Sequence, residues 1–209
     1  MNKIAALSSL ILTGAVMINS LHAQSGPKKQ ENLVPNGGFE SDVNADGNAD
    51  YWFVHPATQK AVEGGEVTWI QTGAGEGSSF LRVKKTGGSE TYVVSNGLLD
   101  TTITSLKSAN DKMLLLQAKV RGIDLEAAPS VALQVFARKP GETAVHFANH
   151  VTAKPATIPG RSWVVIEIRF RLSDLILPGE ELARAEIVLR VPSNTGDADF
   201  DDVTLSVLP

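Results

Sequence analysis

The chain has 209 residues, of which 43% are hydrophobic and 20% charged, with 19 Lys and Arg against 23 Asp and Glu and a formal net charge of -4. That length suits one domain, and the apolar share suits a substantial core rather than a disordered chain. The basic residues are scattered, which excludes a nucleic-acid footprint, and the lack of cysteine excludes disulfides and any cysteine-linked lipid.

The first segment, residues 1–23, reads as a secretory signal peptide. Lys3 supplies a positive start, residues 4–18 are apolar, and Ala23 offers a small residue before Gln24. The apolar run is short for a bilayer, which takes about 20 residues, and no later segment is apolar enough to span one. The expectation is export, to the periplasm or outside the cell. Residues 24–31 form a polar lead-in with Lys28 and Lys29, and the domain proper runs over 32–209.

Alternation of apolar and polar residues then predicts strands. Residues 112–121 place Leu114, Leu116, Ala118 and Val120 on one face and Gln117, Lys119 and Arg121 on the other. Residues 130–138 place Val131, Leu133, Val135 and Ala137 opposite Gln134, Phe136 and Arg138. Residues 163–172 and 185–191 repeat the pattern, with Ile166, Ile168, Phe170, Ile187 and Leu189 on the apolar side. A period of two marks half-buried antiparallel strands. Shorter strands are expected over 66–71, 80–84, 91–95 and 199–207, with Gly and Pro punctuating the gaps. Helical signal is weak: residues 98–109 hold a turn at most, being rich in Thr and Ser. About nine strands with turn punctuation predict an all-β antiparallel sandwich, with a jelly roll as its form.

The two ends carry the most specific patterns. Near the start stands NLVPNGGFE (32–40), then an aspartate-rich loop and Tyr51-Trp52; the finish reads ADFDDVTLSV (198–207). Acidic residues at both ends of one domain suggest termini that meet through a shared cation. Together with GSSFLRVKK (77–85) and SWVVIEIRFRL (162–172), these motifs resemble carbohydrate-binding modules of families four and nine, within the galactose-binding-like jelly rolls. The likeness covers nearly all of residues 32–208. It implies a jelly roll, a structural calcium and glycan binding.

Carried over from the resemblance, the calcium ligands are the Glu40 carboxylate, the Gly38 carbonyl and the Asp201 carboxylate. The chemistry agrees, because calcium takes six to eight oxygen ligands mixing carboxylates, carbonyls and water. On strict alternation Asp201 shares the inward face of Val203 and Leu205, where a lone carboxylate is costly unless paired or metal-bound; Asp202 points outward. The other reading is a carboxylate satisfied by backbone N–H groups. A second calcium loop is suggested by DVNADGNAD (42–50), where Asp42, Asn44, Asp46, Gly47 and Asp50 match the early positions of an EF-hand loop. The bidentate glutamate due at its twelfth position is replaced by Phe53, and a polar turn with local backbone bonds explains the same residues.

A sugar site needs aromatic faces and nearby polar groups. Trp52 and Trp163 hold positions that the resembling family uses structurally, which leaves Trp69, Tyr92, Phe136 and Phe147. Phe136 stands between Gln134 and Arg138 on the polar side of its strand. With Gln117, Trp69 and Tyr92 these form the candidate glycan-binding set; a merely solvated face is the competing reading. Catalytic signals are thin. No nucleophile elbow is present, and His146 and His150 would share a zinc only on a helix. The function read from the sequence is a secreted, non-catalytic glycan binder with structural calcium. The alternative is a structural or adhesive surface protein on the same fold, and a small glycoside-acting enzyme stands behind both.

Overall fold

The computed structural model describes residues 31–54, 65–71, 77, 79–87, 90–95, 98, 100–193 and 195–209, and of Tyr92, Val94, Asp100 and Thr101 it describes the backbone alone. The expected signal peptide and the lead-in up to residue 30 lie outside the described residues. Within them the strands are β1 (Trp52–Val54), β2 (Gly65–Ile70), β3 (Phe80–Thr86), β4 (Thr91–Ser95), β5 (Met113–Ile123), β6 (Ser130–Arg138), β7 (His146–Ala153), β8 (Val164–Arg171), β9 (Glu181–Val191) and β10 (Thr195–Val207). A helix, α1 (Asp100–Ser108), and a 3-10 turn (Leu172–Asp174) complete the order.

The strands form two five-stranded sheets. The first runs β1-β4-β9-β6-β7 and the second β2-β3-β10-β5-β8, and neighbouring strands pair antiparallel. Alternation decides which faces meet. Leu114, Leu116, Ala118 and Val120 of β5 are wholly buried, as are Val131, Leu133, Val135 and Ala137 of β6. Ile187 and Leu189 of β9 and Ala198, Phe200, Val203 and Leu205 of β10 join them in one core between the sheets. Each Val, Leu, Ile or Phe among them is worth about 1.5 to 3 kcal/mol over exposure. Two antiparallel sheets packed face to face make a jelly-roll β-sandwich, the class that the sequence pattern predicts.

Several elements depart from the sequence expectation, among them β1, which it lacks, and β10, which begins at Thr195 rather than 199. Strand β9 begins at Glu181 rather than 185, because Leu182 buries into the core and pairs with Ala137 across a register shift. Strand β7 is an edge strand whose exposed side chains alternate weakly, which hid it from a periodicity reading. Residues 100–108 form a true helix despite their Thr and Ser. Its Leu106 and Ile103 bury, and Thr102 Oγ1 donates to the Leu33 carbonyl at 3.2 Å, so tertiary packing overrides propensity.

The two ends of the domain meet. The Leu33 N–H donates to the Leu205 carbonyl and the Val203 N–H to the Gly37 carbonyl, both at 2.8 Å. Asn32 closes the same contact, its Nδ2 donating to Val203 O and its Oδ1 accepting from the Leu205 N–H. The approach is close enough that a Cβ on Gly37 would strike the Val203 carbonyl. The segment before β1 thus extends the second sheet beside the last turns of β10. Among the described residues no helix is long and apolar enough to cross a membrane.

Candidate functional site

The outer face of the first sheet carries a designed-looking row of side chains. Register sets Gln134 opposite Glu186 and His150, and Phe136 opposite Arg184 and Phe147. Phe136 and Phe147 meet edge to face, 5.8 Å between centroids, and the Arg184 guanidinium lies 4.0 Å over the Phe136 ring. Phe147 remains half exposed, whereas Phe136 is partly buried beneath its neighbours. A register shift after Val135 opposes two residues of β7 to one of β6 and turns Phe147 to the same side as Phe136. Three guanidiniums on this face are matched by three glutamates: Arg138 with Glu181 at 3.9 Å, Arg184 with Glu186 at 3.3 Å, and Arg190 with Glu90 at 2.7 Å.

The candidate set from sequence divides. Gln134, Phe136 and Arg138 share this face. Tyr92 holds the backbone position opposite Arg190, and its side chain lies outside the described residues. Trp69 is elsewhere: it packs against the core, and its indole N–H donates to the Phe39 carbonyl at 2.6 Å. Gln117 is also elsewhere, on the outer face of the second sheet, where its amide donates to Glu167 at 3.2 Å. The polar residues of β5 and β8 therefore form a different surface from those of β6 and β9, because the two pairs belong to opposite sheets. Sequence reasoning left Phe147 and His150 out of the site. His146 and His150 part as strand residues do: His146 lies 3.3 Å from Glu180, and His150 sits opposite Gln134.

The second sheet's outer face is closed by a polar and aromatic cluster. Asp199 is 1% exposed and accepts from Arg82 Nε at 2.7 Å, Arg82 Nη2 at 2.9 Å and Arg121 Nε at 2.7 Å. The hydrogen bond to Asp199 raises the Arg82 pKa further above its ordinary value. Arg121 lies over both Phe80 and Trp163, 4.8 and 4.4 Å from their centroids. Paired charges stacked on rings leave this face a structural seal.

At the junction of the ends, the orientation expected for Asp201 is corrected. Between Asp201 and Thr204 the pairing with β5 slips by one residue, and Asp202 adopts φ 47°. Asp201 stands opposite Lys119, on the parity of Asp199 rather than of Val203 and Leu205. It is nevertheless fully buried, and its Oδ1 accepts the Asp202 N–H at 2.6 Å. Asp202 is the exposed member of the pair, 3.8 Å from Lys119 Nζ. The Glu40 carboxylate accepts from the Ser79 N–H at 2.9 Å and Ser79 Oγ at 3.2 Å. Gly77 leaves room for it, since a Cβ there would strike Glu40 Oε1. The Glu40 and Asp201 carboxylates are oxygen groups of the kind a hard cation takes, and each already accepts a backbone N–H. No group of three or more His, Cys, Asp or Glu is gathered as a metal site among the described residues.

The loop at 42–50 is a self-bonded turn. Asp42 accepts the Asp46 and Gly47 N–H groups at 3.1 and 3.0 Å, Asn44 and Asp46 bond one another, and Asp50 accepts from Ser41 Oγ and the Val43 N–H. Asn36 fastens the loop to the domain through the Ser41 and Asp50 carbonyls.

No family model matches the chain, and no curated protein matches its sequence. Solved structures do. A family 16 carbohydrate-binding module aligns over 83% of this chain and 99% of its own, with 16% identity and a TM-score of 0.52. The Stig cyclase Fisc from Fischerella sp. TAU aligns over 85% and 97%, with 14% identity and a TM-score of 0.54. TmCBM61, solved with beta-1,4-galactotriose, aligns over 86% and 100%, with 16% identity and a TM-score of 0.47. At such identities the likeness to the first two shows the jelly-roll fold alone, a fold that carries both a carbohydrate-binding module and a cyclase.

Proposed function

We propose that this protein is an exported, non-catalytic glycan binder whose site is the outer face of the first sheet. One observation carries the reading: Phe147 presents an exposed ring against Phe136, which Arg184 caps, beside the polar row of Glu186, Gln134 and His150. An aromatic face stacks on a pyranose while neighbouring amide, carboxylate and imidazole groups meet its hydroxyls. The fold shared with carbohydrate-binding modules supports the assignment. A calcium ion held by Glu40, Asp201 and the Gly38 carbonyl belongs to this proposal as a structural part, where it would tie the first segment to the last strand. The loop at 42–50, with Asp42, Asn44, Asp46 and Asp50, is a second candidate, and its carboxylates already accept backbone N–H groups.

A glycan array with the protein in calcium and in chelator tests both parts. Retention of a defined glycan that Phe147→Ala weakens supports the reading. An array blank under both conditions overturns it and leaves the structural or adhesive alternative. Reducing-sugar release from a bound glycan would show catalysis instead.

A further inference from the structure

At one end of the sandwich, away from the outer faces of the sheets, lies a cavity of about 570 Å³. The last turn of α1, the 3-10 turn after β8 and the start of β9 surround it. Small-molecule sites typically measure about 300 to 1,000 Å³. Its floor is apolar: Leu172 and Leu182 are 1% and 3% exposed, and Ile176 packs on the core. Lys107 and Asn110, both exposed, stand at its rim. The walls are tied together. The Ser173 N–H donates to the Asn110 carbonyl at 3.3 Å, and the Glu180 N–H to the Leu177 carbonyl at 3.1 Å. The second bond closes a β-turn over Pro178 and Gly179, whose φ of 85° is the one a glycine takes at that position.

That turn delivers Glu180 to the cavity wall with its side chain only 10% exposed. Glu180 keeps the inward parity of Leu182, and Ala137 stands opposite both Leu182 and His146. Glu180 Oε1 lies 3.3 Å from His146 Nε2, whereas its Oε2 is buried and has no hydrogen-bond partner among the described residues. Glu181 is turned to Arg138, 3.9 Å away, so Glu180 is the carboxylate that serves the cavity. A buried acceptor without a donor is costly, and most of all a charged one. The terminal torsion of a Glu side chain is soft, so a donor entering the cavity can draw the carboxyl round and complete the bond. An ammonium suits it best, because charge-assisted bonds are the stronger ones. Lys107 and Asn110 at the rim suit a carboxylate, and the apolar floor suits aliphatic side chains between the two ends.

We propose that this cavity is a second binding site, for a short apolar peptide with free termini, a di- or tripeptide in size. Its ammonium bonds the Glu180 carboxylate, its side chains lie on Leu172, Ile176 and Leu182, and its carboxylate meets Lys107 and Asn110. The site shares no residue with the glycan face and does not rest on the glycan reading.

The test is a ligand-observed NMR titration of the full chain with leucyl-leucine, its N-acetyl form, its C-terminal amide and glutamyl-glutamate. Leucyl-leucine should bind and glutamyl-glutamate should not. Acetylation should weaken binding at least about tenfold, the scale of a hydrogen bond to a charged group. Amidation should weaken it about threefold, the scale of an exposed ion pair. Glu180→Gln should reproduce the loss caused by acetylation and add nothing to it, with the melting temperature held; Lys107→Ala should do the same for amidation. Acetylated peptide bound as tightly as the free form overturns the inference on the wild type alone. Unaltered binding by Glu180→Gln, equal binding of glutamyl-glutamate, or binding of none of the four peptides overturns it as well, and each leaves the glycan reading intact.

Discussion

At the scale of single residues, burial separates recognition from support. Phe147 is 51% exposed and makes ring contacts with Phe136 and His150, 5.8 and 6.2 Å between centroids. Phe147→Ala should therefore cost under about 0.5 kcal/mol of stability, the usual range for surface substitutions, while weakening glycan binding by about 1 kcal/mol, the scale of an aromatic contact. Phe136 lies lower, between Phe147 and Arg184, and Phe136→Ala should cost both affinity and about 1 to 2 kcal/mol of stability, short of the 3 to 5 of a fully buried ring. Paired melting and titration of each variant checks the division; equal stability losses in the two would place Phe147 in packing. A second residue gives a pH signature. Lys85 is 3% exposed, its Nζ donates to Thr91 Oγ1 at 2.8 Å, and burial lowers its pKa below the usual 10.5. The folded state thus holds this proton less firmly than the unfolded chain does. The cost is fully present at neutral pH and is relieved as pH rises from the folded-state pKa to 10.5, by at most about 1.4 kcal/mol per pH unit. Denaturation of wild type beside Lys85→Met from pH 7 to 10.5 should show the wild type gaining on the variant. A constant gap would sink the idea.

At the scale of elements, alternation and irregularity decide what the sequence could reveal. The inward rows of β5, β6 and β9 were legible because an uninterrupted strand must send every second residue to the core. The meeting of the ends was legible too, in NLVPNGGFE and ADFDDVTLSV. Two site features were not, and both sit beside bulges. The slip between Asp201 and Thr204 reversed the parity assigned to Asp201, and the slip after Val135 set Phe147 beside Phe136. A bulge adds one residue with no composition of its own, so strict alternation fails at that point. Gln117 was misplaced for another reason, since alternation gives the face of a strand but not the sheet to which the strand belongs, and Trp69 lies on the inward face of β2 opposite Leu81. Asp201 is buried beside the bulge at Asp202, and Ser79 holds Glu40; these are the two carboxylates of the expected cation site. A ligand bound by the native state alone stabilises by RT ln(1 + [L]/Kd), about 2.7 kcal/mol at a hundredfold excess over Kd. Calcium should raise the melting temperature and chelator should lower it. Asp201→Asn or Glu40→Gln should abolish most of the difference, and Asp202→Asn should leave it largely in place. Identical melting curves in calcium and chelator would remove the ion from the structure.

At the scale of the whole molecule, the sandwich is completed by a segment that belongs to no strand. Residues 32–40 put Leu33, Val34 and Phe39 into the core at 5%, 3% and 0% exposure. Phe39 packs on Trp52 with centroids 5.0 Å apart and gives its carbonyl to Trp69, joining the beginnings of both sheets. The same stretch occupies the N–H groups of Val203 and Leu205 beyond the bulge, which would otherwise lack a neighbouring strand. Tolerance to truncation follows from burial and backbone bonding rather than from position in the chain. A chain beginning at Glu31 retains all of these contacts and should melt as the longer protein does. A chain beginning at Ser41 loses three buried apolar side chains, worth together about 5 to 8 kcal/mol, along with the backbone bonds to β10. A domain typically has only about 5 to 15 kcal/mol in hand, so the shorter chain should lose its cooperative transition or unfold at ambient temperature. Circular dichroism melting of the two forms decides the matter. A sharp transition retained in the chain from Ser41 would show that the sandwich closes without its first segment, and that the meeting of the ends is not what holds it together.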